Sequence, residues 1–268
     1  IMENTPTPIV VVSGLLEVDV RLSLQAIEAG ALAVVNKPPN QLNPLFDEQQ
    51  RQLLTTLRAM AGVKVISRRK PRSQKLPLIA EATINGSQGM TKLARPELIV
   101  IGASTGGPGV LLRFLQDIEK PISVPIIIVQ HMPDEFISGL TQWLSSVTTF
   151  NVILAFEDMF IEKGMIILAP GDKNLMVERR DGLLVTKLSG KETQSRYLPS
   201  VDVLFESVAR TVGKRAIGII LTGMGDDGAQ GLLAIRQAGG YTIAQDEASC
   251  AVFGMPRAAI EAGAVEKV

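Results

Sequence analysis

The sequence predicts an α/β protein built on an open, mostly parallel sheet covered by helices on both faces. Two observations carry that prediction. From Glu97 to the end of the 268-residue chain, short runs rich in Val and Ile alternate with segments of helical periodicity. Several of those runs also open into glycine-containing turns, as in "IVIGASTGGPG" at 99–109 and "AIGIILTGMGDDGAQG" at 216–231. Strands buried on both faces read as continuous apolar runs rather than alternating ones. Strands are expected at 98–103, 125–130, 151–156, 165–169, 215–222 and 240–245, and helices at 106–118, 134–147, 200–212, 227–238 and 255–262.

The N-terminal third reads differently. "PIVVV" at 8–12 is a buried-type strand, and Val18, Leu22, Ala26 and Ala29 recur at helical spacing before Gly30. "ALAVVN" forms a second strand ending at Lys37, and Asn43 and Pro44 open a helix carrying Leu53, Leu54, Leu57 and Met60. This β-α-β-α unit spans 1–66; two parallel strands are too few to bury both faces of a sheet, so strands are missing upstream. Residues 67–96 hold seven Lys or Arg and three Pro without periodicity, and read as a basic linker.

Composition narrows the function. With 46% hydrophobic and 20% charged residues the chain is of globular type. Its 27 basic and 27 acidic residues cancel, which gives no global field for nucleic acid. No apolar run approaches the roughly 20 residues of a membrane span, and no signal peptide is evident, so a cytoplasmic protein without membrane insertion is expected. One Cys and one His exclude an internal disulfide and a Cys/His zinc site.

Gly102-Ala103-Ser104-Thr105-Gly106 fits G-x-S-x-G between a strand and a helix, a turn that lifts a serine hydroxyl clear of a sheet. A helix N-terminus also binds phosphate, so the turn alone is equally a dinucleotide site. Against that alternative, G-x-G-x-x-G is missing and the next strand ends in Gln130 and His131 rather than a ribose-binding acid. The single histidine thus stands at the sheet edge that displays Ser104. Asp226 and Asp227 stand at a third strand end, either as the acid that orients His131 or as an N-cap pair. Their chemistry is acyl transfer by a serine hydrolase; the competing readings are a dinucleotide-binding oxidoreductase and a catalytically idle binding module.

"IGASTGGP", "VPIIIVQHMP", "LAPGDKNL", "PSVDVLFESVA" and the run from Leu221 to Val265 together resemble the catalytic domain of the CheB chemotaxis protein-glutamate methylesterases. The resemblance covers 97–268 and implies a three-layer α/β/α domain with a Rossmann-like sheet. It implies hydrolysis of glutamate methyl esters on methyl-accepting chemotaxis receptors, with possible glutamine deamidation, by a monomer without a cofactor. Position by position it assigns Ser104 as nucleophile, His131 as base and Asp227 as acid. It places Thr105, Gly106 and the Met224 backbone at the oxyanion or substrate.

The first unit resembles the end of a flavodoxin-like response-regulator receiver domain, with Ser13 at the switch hydroxyl and Lys37 at the pocket lysine. In the family this domain covers the active site until the chemotaxis histidine kinase phosphorylates it. The acidic strands that bind Mg2+ and accept the phosphoryl group are absent from this chain. One departure stands out: "SRYLPSVD" puts Tyr197 and Leu198 before Pro199, where the family has a basic stretch.

Overall fold

The computed structural model describes residues 5, 7–14, 17–44, 46–63, 95–118, 121–190 and 196–268. Most of the predicted basic linker, 67–94, falls outside the described residues. The N-terminal unit is β1 (Val10–Ser13), α1 (Glu17–Glu28), β2 (Ala33–Asn36) and α2 (Phe46–Ala61), with β1 and β2 paired in parallel. One part of the sequence reading is corrected here. The stripe through Leu22 and Ala29 does not face a core, since Leu22 is 55% exposed, whereas Val20, Leu24 and Ile27 are buried. Val20 and Leu24 join a core cluster with Leu111, Phe136 and Leu140 of the second unit, and that docking selects the buried face of α1.

The second unit runs β3 (Leu98–Ala103), α3 (Gly107–Asp117), β4 (Ile126–Gln130), α4 (Asp134–Val147), β5 (Val152–Leu154) and β6 (Ile166–Leu168). It continues through β7 (Asn174–Arg180), β8 (Leu183–Ser189), α5 (Val201–Thr211), β9 (Ala216–Ile220), α6 (Ala229–Gln237), β10 (Tyr241–Ala244) and α7 (Met255–Glu261). Six strands form one sheet in the order β10-β9-β3-β4-β6-β5, and every pairing in it is parallel. Leu98 and Val100 point into the core beneath α5, α6 and α7, while Ile101 and Ala103 point toward α3 and α4. This is the period of two that a strand imposes, with apolar residues on both faces because helices cover both.

Strand order locates the site. From β3 the chain moves to β4 on one side, and it later returns to β9 on the other. Ligands of open α/β sheets bind at such a switch, outside the carboxyl ends of the strands.

The antiparallel β7–β8 hairpin is an element that the strand–helix alternation does not predict. Its turn is Asp181-Gly182, both at positive φ (50° and 84°), which suits a tight hairpin with right-handed twist. The hairpin braces α5: Ser207 Oγ accepts the Val177 N–H, and Thr211 Oγ1 donates to the Val177 carbonyl.

Candidate active site

Ser104 is the first residue beyond β3. Its N–H donates to the Thr222 carbonyl at 3.0 Å, beyond β9, and its own carbonyl accepts from the Gly107 N–H at 2.8 Å. Gly106 turns the chain into α3 with φ +81°, and an added Cβ would lie 2.5 Å from Ala251 Cβ, so both conformation and space demand glycine. Register brings the histidine alongside. Ala103 pairs with Gln130, so Ser104 and His131 leave neighbouring strands side by side, roughly 5 Å apart in backbone. The His131 N–H donates to the Ala103 carbonyl at 2.9 Å. The buried Gln130 amide ties the two together, donating to the carbonyls of Ser104 (2.8 Å) and His131 (3.1 Å).

Of the two candidate acids, Asp227 is the one at the histidine, with Oδ2 2.8 Å from His131 Nε2. Its side chain is 1% exposed, against 16% for that of His131. An ionised carboxylate so buried needs several donors. Oδ1 accepts from the Ser200 hydroxyl and the Asp202 N–H, both at 3.0 Å, and Oδ2 also accepts from the Val201 N–H at 2.7 Å. These donors are the N-terminus of α5, whose unpaired N–H groups and dipole favour an anion. Burial is the largest influence on the Asp227 carboxyl and pushes its pKa up. The His131 hydrogen bond and charge and the Val201 and Asp202 N–H groups outweigh it and hold the value below the ordinary aspartate range.

Two sequence expectations are revised at this point. The helix predicted at 227–238 starts instead at Ala229 behind Gly228, whose φ of 92° turns the chain away, so Asp227, which the resemblance assigns as the acid, does not cap that helix but reaches across to α5. Gly106 is expected at the oxyanion or substrate; in this structure its N–H is taken by the Leu32 carbonyl of the N-terminal unit at 3.0 Å, so that donor is free only when the contact is withdrawn. By contrast, the N–H groups of Thr105 and Met224 donate to no described group; both residues are half-buried, Thr105 next to Ser104 in the chain and Met224 next to Gly223, whose added Cβ would lie 2.8 Å from Ser104 Cβ. Asp226 is exposed and lies against Tyr197 and Arg196.

Sequence reasoning missed the parts of α5 that hold the acid, namely Ser200 and the first two N–H groups of the helix. The signal was available in Pro199-Ser200-Val201-Asp202, an N-cap serine with an acid in the first turn. Asp202 was missed as well. Its Oδ1 accepts the Gly231 N–H in the first turn of α6, and burial, the largest influence, raises its pKa to about 6.

At the other unit, Ser13 and Lys37 lie at the carboxyl ends of adjacent strands, joined by the Lys37 N–H to the Ser13 carbonyl. Among the described residues no group of three or more His, Cys, Asp or Glu could hold a metal ion. Nor is any helix among them long and apolar enough to cross a membrane.

Fold and geometry describe a parallel α/β protein that gathers Ser104, His131 and Asp227 at the carboxyl edge of its sheet, the residue set of a serine hydrolase. Residues 99–268 match the family described as CheB methylesterase. The chain is 39% identical to protein-glutamate methylesterase/protein-glutamine glutaminase 2 of Pseudomonas syringae pv. tomato, with all of this chain and 76% of that protein aligned. It is 41% identical to protein-glutamate methylesterase/protein-glutamine glutaminase 1 of Geobacter metallireducens, covering 74% of that protein. The crystal structure of the Thermotoga maritima CheB methylesterase catalytic domain superimposes with a TM-score of 0.63 at 34% identity, over 65% of this chain and 93% of that one. The chain belongs to the CheB methylesterase family.

Proposed function

We propose that this chain hydrolyses γ-methyl esters of glutamate side chains on the cytoplasmic domains of methyl-accepting chemotaxis receptors, and deamidates glutamines there. The observation that carries this reading is the 2.8 Å contact between His131 Nε2 and buried Asp227, set on the strand beside Ser104. The names of the relatives supply the glutamate ester and the glutamine amide.

With Nε2–H held by Asp227, the other ring nitrogen, Nδ1, is the base. Nδ1 takes the Ser104 proton as Oγ bonds to the ester carbonyl carbon, and the carbonyl electron pair moves onto oxygen. The Thr105 and Met224 N–H groups receive that oxyanion. When the C–O bond to the methoxy group breaks, His131 returns the proton and methanol leaves. Water, deprotonated by Nδ1, then attacks the acyl-serine and releases the glutamate carboxylate with Ser104 restored. These steps use only protein groups and water. The protein acts as a monomer in the cytoplasm, and the chemotaxis histidine kinase phosphorylates the receiver of the full-length form.

The test is methanol release from methylated receptor cytoplasmic fragments. Ser104→Ala is expected to lose about 10³-fold or more in turnover, because members of such a triad act as a unit. Near-full activity of that variant would sink the assignment.

A further inference from the structure

The proposed mechanism uses one edge of the His131 ring for Asp227 and the other for Ser104, and leaves its flat faces unaccounted for. One face is covered. The ring of Tyr197 lies parallel to the imidazole, with planes 5° apart and centroids 5.3 Å apart, an offset stack. Tyr197 is itself anchored: its hydroxyl donates to Asp226 Oδ1 at 3.1 Å. The hydroxyl also sits over the backbone of Gly225, where an added Cβ would approach it to 2.7 Å, so a side chain at 225 would displace it. Asp226 in turn reaches Arg196 Nη2 at 3.5 Å. The hydroxyl stays protonated as a donor, since burial, then the Asp226 charge and hydrogen bond, raise its pKa.

We propose that Tyr197 is a positioning residue for His131: its stacked ring, tethered by Asp226 over Gly225, keeps the imidazole from rotating about its bond to the backbone side. A single hydrogen bond at Nε2 fixes one point of the ring but leaves it free to tilt, and a tilt moves Nδ1 off the serine. The stack removes that freedom. It also puts an electron-rich face against the imidazolium formed when His131 takes a proton. The inference rests on the Ser-His-Asp reading above.

The experiment uses the full chain with Tyr197→Phe, which keeps the ring, and Tyr197→Leu and Tyr197→Met, which do not. His131 is the only histidine, so its Cε1–H and Cδ2–H proton resonances are read without ambiguity. In wild type and Tyr197→Phe they are expected upfield from ring current, and both aliphatic variants return them downfield. With a peptide glutamate γ-methyl ester, the aliphatic variants are expected to lose about tenfold or more in kcat with KM little changed, as misplaced catalytic groups do. Tyr197→Phe is expected within about threefold of wild type on the same scale. Unchanged resonances, an unchanged kcat, or a loss confined to KM would each overturn the proposal. If the wild type cleaves no ester, the functional reading fails, while the resonance shifts still decide whether the tyrosine holds the ring.

Discussion

Asp227→Asn changes one oxygen to an amide and leaves the volume alone. Four donors converge on the two carboxylate oxygens: the Ser200 hydroxyl and Asp202 N–H on Oδ1, the Val201 N–H and His131 Nε2 on Oδ2. Whichever way the asparagine amide turns, its NH2 meets a backbone N–H that cannot turn away. With NH2 on the Oδ2 side it faces Val201 and the imidazole, and His131 must present Nε2 as an acceptor. The proton then sits on Nδ1, the nitrogen that has to receive the serine proton.

A wrong tautomer of this kind costs about 10⁴-fold in kcat, or about 5 kcal/mol of barrier. Stability falls too, since two hydrogen bonds to a charge are lost at roughly 1.5–3 kcal/mol each, partly offset by no longer burying that charge. The pH dependence carries a sign. The Asp227 carboxyl is held below its ordinary value, so its contribution is present above the unfolded pKa and disappears as pH falls through the lower folded one. Methanol release gives kcat, and thermal melts between pH 7 and pH 3 give stability. The variant should melt earlier at pH 7, with the gap to wild type narrowing in acid. A kcat within tenfold of wild type would refute the tautomer argument.

Two further perturbations probe the surroundings. Asp202 shifts the opposite way: burial raises its folded pKa to about 6, so wild-type stability falls as pH rises from the unfolded value toward 6. Asp202→Asn, whose carbonyl still accepts the Gly231 N–H, should therefore melt higher at pH 7.5 and no differently at pH 3.5. The gain is about 1 kcal/mol or less after solvent screening, and an equal shift at both pH values would count against it. Leu24, 2% exposed where α1 meets the α3–α4 side, is the second site. Leu24→Glu buries an unpaired charge there, should free α1, and should raise kcat/KM by withdrawing the Leu32 carbonyl from Gly106; unchanged activity with α1 released would remove the Leu32 contact from the account.

The parallel sheet was legible because its strands are short, mostly apolar runs rich in Val and Ile, and its boundaries fall within one or two residues of those read from the runs. The hairpin was not, although Asp181-Gly182 is a strong turn signal, because "NLMVERR" and "LLVTKLS" mix charge and apolar residues with no run to catch the eye. At the site, Ser104 and His131 follow from strand ends, which sequence locates well. The choice of Asp227 over Asp226 does not follow from chemistry alone. It depends on Gly228 at positive φ and on the N-terminus of α5, which approaches from 25 residues earlier in the chain. The role of Tyr197 was hidden for a related reason: stacking on His131 joins residues 66 apart, and no local pattern records it.

The two helix N-termini at the site are used in different ways, and the sequence around each says why. The end of α5 is filled by a resident anion, Asp227, which its N–H groups keep ionised in a dry setting. The end of α3, beside Ser104, has no acidic residue in its first turn and no side-chain cap. A carboxylate there would repel the oxyanion that the reaction creates. Its first N–H groups instead meet neutral carbonyls, that of Ser104 on Gly107 and that of Leu32 on Gly106, each with only the partial negative charge of a dipole. Such an occupant binds where an oxyanion is favoured and holds on less strongly than a full charge would. The N-terminal unit, docked through α1, therefore meets the start of α3 through a dipole rather than through a full charge.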